Sequence, residues 1–220
     1  MNWANRTNVI RIAFVYRKQL ESTKLTDGMR CNDLTTTLYF VRHCESPYIE
    51  GEERSRGISA AGEQDAMKIA ELLQHIPIDV FISSPYARAI QTIQPLADFV
   101  NRPIHIYEDL RERQIGAFEG LSFQESKRKV YADFHFSFPD GEPSRDAQRR
   151  AVAVLQELIS KYEGQHIVIG THGDIMTLIL NYFDPAYGFE FWFSTTMPDI
   201  YKLELQDMQL VRVDKLWHNE

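Results

Sequence analysis

Leu38-Tyr39-Phe40-Val41-Arg42-His43-Cys44-Glu45-Ser46 decides how this chain is read. An apolar, β-prone run stops abruptly at an arginine, a histidine and a short polar turn. The pattern predicts a buried strand that delivers charged side chains at its carboxyl end. In parallel α/β sheets, ligands sit in the crevice outside those strand ends. An isolated Arg-His pair is more often a surface pair than a site. Here the later chain supplies partners: Ser83-Ser84-Pro85-Tyr86-Ala87-Arg88-Ala89, Leu110-Arg111-Glu112 and Gly170-Thr171-His172-Gly173.

Two of these partners repeat the opening pattern. Asp79-Val80-Phe81-Ile82-Ser83 predicts a short strand, and a helix follows from about Tyr86. Arg88 then falls in the first helical turn, where free N–H groups and the dipole already favour anions. A structural arginine would more usually sit near a helix's other end, so Arg88 reads as a phosphate ligand. Ala89, Ile93, Leu96, Ala97 and Val100 make the buried stripe of that helix, and Pro95 predicts a kink. His166-Ile167-Val168-Ile169-Gly170-Thr171 is the clearest buried strand. It ends in His172-Gly173, with a helix from near Asp174 and a glycine that permits close backbone approach.

The remaining elements frame these. Ser59 predicts the N-cap of an amphipathic helix over residues 60–75. Residues 104–107 predict a short strand, 147–162 a helix stopped by Gly164, and 200–205 and 210–213 two closing strands around a turn near Asp207. Residues 47–56 form a polar loop at the rim of the predicted site. The variable stretch 121–146 carries Lys127-Arg128-Lys129, which reads as a helix face in water or as a lid over an anionic substrate.

The 220 residues suit one α/β domain with a full core. Composition is that of a soluble globular protein, 44% hydrophobic and 25% charged. A formal net charge of −7 argues against a nucleic-acid binder, but a local basic pocket for a phosphorylated small molecule remains compatible with it. Cys31 and Cys44 make no disulfide framework, so a reducing, cytoplasmic setting is expected. No apolar run reaches the length of a membrane span, and no membrane partner is expected. The seven histidines show no clustered metal-ligand spacing, so neither a metal nor a cofactor is expected. Oligomeric state is left open.

The ordered motifs resemble the histidine phosphatase superfamily, also called the phosphoglycerate mutase-like family. The resemblance runs from about Thr37 to about Gln206 and includes Ile58-Ser59-Ala60-Ala61-Gly62 and Gly116-Ala117-Phe118-Glu119-Gly120. It implies a three-layer α/β/α sandwich with a mainly parallel central sheet over residues 37–220. Residues 1–36 are then a non-catalytic N-terminal extension, with the apolar stretch Val9–Tyr16 as an edge strand, a surface-binding segment or a leader. The resemblance also implies a phosphatase for phosphate monoesters. His43 would be the covalent nucleophile, and Arg42 and Arg88 would grip phosphate oxygens together with Ser46 and Gly173. His172 would donate to the same oxygens, and Glu112 would be the general acid. Two nearby arginines would hold the nucleophile's ring neutral.

Two departures from the family pattern stand out. Cys44 replaces the glycine that normally follows the catalytic histidine: it strains the turn if the position needs positive φ, costs little if the position needs only a small side chain, and opens the site to oxidation. Ile49 occupies the place of a common phosphate-binding asparagine. Within the family, a phosphoglycerate mutase would carry a Tyr-Gly-x-Leu-Gln-Gly run and a longer insertion; the short Ile115–Gly120 stretch favours a phosphatase. A cysteine-based phosphatase needs arginine six residues after its cysteine, where Glu50 and Thr37 stand. A non-catalytic protein that binds a phosphorylated ligand on the same fold is the reading of a different class.

Overall fold

The computed structural model describes residues 34–118 and 120–218. The expectations for residues 1–33 and for Glu119 lie outside the described residues. β1 (Thr35–Arg42) is buried along Thr36–Val41. Its side chains alternate between two cores: Leu38 and Phe40 face one, Tyr39 and Val41 the other. Both faces of the strand are therefore covered, which is why its sequence reads as a continuous apolar run rather than an alternating one.

β2 (Val80–Ser83), β3 (Ile104–Ile106), β4 (His166–Thr171), β5 (Asp199–Gln206) and β6 (Gln209–Lys215) complete a six-stranded sheet of order β3-β2-β4-β1-β5-β6. The first four in that order are parallel. β5 and β6 close one edge antiparallel, joined through Asp207 at φ 51°. The sheet is therefore mixed, with its parallel part central to the site.

Helices flank both faces. α1 (Ala60–Leu73) and α2 (Ala87–Val100) put Ala66, Ile69, Leu73, Ile93 and Leu96 into one core. α3 (Phe123–Ala132), α4 (Ser144–Lys161), α5 (Gly173–Phe183) and the short α6 (Phe189–Ser194) cover the other face. The α/β class and the three layers are as expected.

Several boundaries differ for local reasons. Ser59 does cap α1, its hydroxyl accepting from the Gly62 N–H at 3.0 Å, but the helix ends at Leu73. α2 runs on through Pro95 as one helix of 14 residues. α4 starts at Ser144, three residues before the expected Ala147. Pro143 stands at its N-cap, and the buried Ser144 hydroxyl donates to the Val130 carbonyl at 2.7 Å. α3 arises inside the variable stretch because Ser122 and Glu125 form a reciprocal capping box. Among the described residues no helix is long and apolar enough to cross a membrane.

Candidate active site

Strand register brings the two site histidines together. β1 and β4 are parallel neighbours with Arg42 opposite Thr171, so the next residues, His43 and His172, leave the sheet side by side. The His43 N–H still donates to the Thr171 carbonyl at 3.0 Å, which holds the turn against β4. The two rings meet edge to face, centroids 5.3 Å apart. His43 Nδ1 lies 2.8 Å from the Cys44 carbonyl oxygen. A carbonyl only accepts, so Nδ1 carries the proton and Nε2 keeps a free lone pair. Burial, and then the Arg88 charge with smaller contributions from Arg42 and Arg56, pulls the His43 pKa down to about 3. The ring is thus neutral near pH 7, with an unshared lone pair on Nε2.

The arginines form a cradle around it. Arg42 ends β1 and donates through Nη1 to the Thr195 carbonyl at 3.1 Å and to the Thr195 hydroxyl. Its guanidinium lies flat on Gly173: a Cβ there would sit 3.0 Å from Arg42 Cζ, so glycine is needed for this close approach. Arg88, in the first turn of α2, is 1% exposed and lies over the Tyr86 ring at 4.8 Å. It donates to the Glu53 carbonyl and to Glu53 Oε1, each at 2.6 Å.

Among the described residues, six buried side-chain polar atoms have no hydrogen-bond partner, and the three nitrogens among them are Arg42 Nε, Arg88 Nε and His172 Nδ1. Buried donors are almost always paired, so three orphans at one place mark a site built for an acceptor. They belong to residues grouped around His43. A tetrahedral oxyanion is the ligand whose several oxygens match such a set.

Glu112 approaches from the loop after a 3₁₀ turn (Glu108–Leu110). Its carboxyl accepts the Arg113 N–H at 2.9 Å, the Asp174 N–H at 3.2 Å and the Ile175 N–H at 3.3 Å, the last two from the first turn of α5. Burial and the nearby Asp174 charge raise its pKa, against the opposing pull of Lys127 and of backbone N–H groups. The balance favours a carboxyl that can carry a proton. Asp174 itself is fully buried. It takes Arg113 Nε at 3.1 Å and Nη2 at 2.8 Å, the Lys127 ammonium, and the Tyr131 hydroxyl at 3.0 Å. Those two cations hold its pKa well below the usual carboxylate range against the cost of burial.

Lys127 corrects the reading of the basic triplet as a helix face in water. It is buried against Asp174 and lies over the Phe123 and Trp192 rings at about 5 Å. Its neighbours behave differently: Arg128 pairs with the exposed Glu190, and Lys129 lies over Phe136 and Phe138. The overlooked signal is spacing: Lys127 lies three and four residues before the buried Val130 and Tyr131 and so shares their face of the helix.

The structure accounts for the first departure, Cys44. Cys44 is not among the positive-φ residues, so its side chain strains nothing. It is fully buried in the core formed with Val41, Ala66 and Ile69, and its N–H donates to Thr92 Oγ1 at 2.9 Å. Burial pushes the thiol pKa up to about 12, which corrects the expectation of an oxidation-sensitive site. Ser46 is engaged by protein groups. Its hydroxyl donates to the Gly57 carbonyl and accepts from Arg56 Nη1, each at 2.7 Å. Arg56, which sequence reasoning passed over in a polar loop, is thereby anchored close enough to act on both His43 and His172 electrostatically. A serine committed to a fixed arginine was the missed signal, and only the folded loop reveals it.

Arg42, His43, Arg56, Arg88, Glu112 and Lys127 all line one cleft of about 1370 Å³. That volume far exceeds a phosphate group and leaves room for the group it is attached to. Among the described residues, no group of three or more histidines, cysteines or acidic residues is placed to hold a metal ion.

The family model described as histidine phosphatase superfamily (branch 1) matches residues 38–213. The chain is 28% identical over 174 residues to the metal-independent phosphoserine phosphatase of Arabidopsis thaliana, covering 71% of this chain and 72% of that protein. It is 29% identical over 149 residues to the probable phosphoglycerate mutase GpmB of Enterobacter sp. (strain 638), covering 62% and 69%. Among solved structures, a phosphoserine phosphatase from Entamoeba histolytica in complex with 3-phosphoglyceric acid aligns with a TM-score of 0.69 at 20% identity, over 84% of this chain and 98% of that one. At that identity the likeness establishes the fold.

Proposed function

The chain belongs to the histidine phosphatase superfamily, branch 1, and from that membership and the site's geometry we propose a metal-independent phosphatase that hydrolyses phosphate monoesters through a phosphohistidine on His43. The observation that carries the reading is the set of orphaned donors on Arg42, Arg88 and His172 around a neutral, correctly tautomerised His43.

In the first step His43 Nε2 attacks phosphorus in line and the P–O bond to the leaving group breaks. The arginines and His172 hold the equatorial oxygens as charge spreads over them. Glu112 gives its proton to the departing alkoxide. In the second step water attacks the phosphohistidine, Glu112 takes a proton from it, and inorganic phosphate leaves with His43 restored. Arg56 adds a further positive charge beside His43 and His172. Two cysteines without a disulfide framework agree with a cytoplasmic setting.

Release of phosphate from a panel of phosphomonoesters in chelator tests this reading. Turnover in chelator supports it. Strict dependence on added metal, or binding without turnover, contradicts it. A mutase would instead return the phosphoryl group to a second hydroxyl of a phosphorylated acid, the activity named for the GpmB relative.

Two further outcomes follow from the charges. Glu53 already accepts from Arg88, and its Oε1 lies 3.3 Å from Arg56 Nη2, so its negative charge opposes an entering phosphoryl group. Glu53→Gln is expected to lower KM, and the inhibition constant of inorganic phosphate, by ~5-fold at most, the scale of a half-exposed ion pair, with kcat unchanged. Steady-state kinetics with phosphate as inhibitor would check it. Lys127 works in the other direction. Its charge lowers the Glu112 pKa, so Lys127→Met lets that pKa rise. The acid stays protonated to higher pH, and the alkaline limb of the kcat–pH profile moves up. An unmoved or lowered limb would contradict the assignment.

A further inference from the structure

We infer that Ser84 is a positioning residue that fixes His172 as its Nδ1–H tautomer and so aims a buried donor at the phosphoryl group. What that donor does rests on the phosphatase reading above; which nitrogen carries the proton rests on geometry alone.

Ser84 follows the carboxyl end of β2, and its N–H is anchored to the Gly170 carbonyl of β4 at 3.0 Å. Its hydroxyl oxygen lies 2.6 Å from His172 Nε2 and accepts the Tyr86 N–H at 3.1 Å. Both side chains are fully buried. The His172 ring meets the Tyr86 ring edge to face at 5.0 Å and the His43 ring at 5.3 Å, so the imidazole is held between two rings.

A hydroxyl has one proton to give and two lone pairs to receive. If Nε2 carried the His172 proton, Ser84 Oγ would accept from both His172 and Tyr86. Its own proton would then have no acceptor among the described residues, and Nδ1 would turn a bare lone pair toward the phosphate's oxygens. If Nδ1 carries the proton, the chain runs one way: Tyr86 N–H to Ser84 oxygen, Ser84 O–H to His172 Nε2. Every member is satisfied except the Nδ1–H, and Nδ1 is the ring nitrogen the structure leaves without a partner. The doubly protonated ring is disfavoured by burial, and further by His43 and the guanidiniums of Arg88, Arg42 and Arg56. The hydrogen bond at one ring nitrogen therefore sets the tautomer at the other.

The consequence is specific. A neutral N–H donor can hold an equatorial oxygen without adding a cation that would depress the nucleophile's basicity further. It depends on a serine that touches no substrate.

Ring-nitrogen NMR of the full chain with ¹⁵N-labelled histidine tests this, with and without inorganic phosphate. The expected wild-type spectrum shows His172 with Nδ1 protonated and Nε2 bare, and a shift of the Nδ1–H resonance on phosphate addition. Ser84→Ala is expected to give a tautomer mixture and to lower kcat by about 10- to 100-fold, the scale of losing an orienting partner, with KM moving less. Ser84→Thr restores the hydroxyl and should recover both. A wild-type His172 protonated at Nε2 overturns the proposal without any variant, as does a folded Ser84→Ala protein with unchanged tautomer and kcat. The spectrum needs no turnover. A protein that hydrolysed no ester yet showed the Ser84-dependent tautomer would refute the phosphatase reading and leave this one standing.

Discussion

His43→Ala is expected to lower kcat for phosphomonoester hydrolysis by about 10⁴-fold or more while leaving the protein folded. The size follows from the absence of a substitute among the described groups. His43 presents Nε2 because Nδ1 is committed to the Cys44 carbonyl, and its ring is neutral because burial and Arg88 hold its pKa near 3. The neighbouring thiol of Cys44 is buried with a pKa pushed up to about 12, so it cannot take over. His172 is fully buried and bonded to Ser84 through Nε2. Alanine at position 43 keeps the backbone bond from its N–H to Thr171. Phosphate release and circular dichroism on the same preparation would check the result. Activity within tenfold of the wild type would place the nucleophile elsewhere.

Asp174→Ala is expected to destabilise the fold by about 3–5 kcal/mol, because it strands buried cations rather than removing a surface pair. Arg113 and Lys127 both lose their carboxylate, and the Tyr131 hydroxyl loses its acceptor. For a chain of this size the melting temperature should fall by roughly 10 °C. The same change removes the charge that helps raise Glu112. The alkaline limb of the kcat–pH profile should therefore move down, opposite to Lys127→Met. Denaturant titration and a pH–rate profile would check both. A stability loss below ~1 kcal/mol would mean that the two cations find other partners or water. Limbs moving the same way in the two variants would mean that Glu112 is not the titrating acid.

The strands and their polar ends were legible in the sequence because both are local. Leu38–Val41 and Ile167–Ile169 are apolar runs buried on both faces, and each ends where the polar residues begin. The identity of His43, Arg88, Glu112 and His172 as candidates followed from the same strand ends and from the resemblance. Their geometry did not. That His43 and His172 touch depends on β1 and β4 being parallel neighbours in a given register, a long-range fact with no local trace. Lys127 was hidden inside a run of three basic residues, although it lies three and four residues before the buried Val130 and Tyr131 and so shares their face, where it meets Asp174. Arg56, Glu53 and Ser84 were hidden because their partners are distant or backbone groups. Cys44 shows the converse. Glycine at that position suggested a conformational need, whereas the backbone there has no positive φ and Gly62 supplies the small contact instead. A Cβ on Gly62 would lie 3.2 Å from Cys44 Cβ and 2.7 Å from the Glu45 carbonyl oxygen.

The most direct test of the account is a first-turnover chemical quench with a substrate ester carrying a radiolabelled phosphoryl group. The protein is stopped in alkali, where a phosphoramidate survives, and the label is mapped along the chain. The account predicts an alkali-stable, acid-labile phosphoryl group on His43, absent from His43→Ala. Phosphate released in the first turnover with no label on His43, or with the label on another residue, would contradict it.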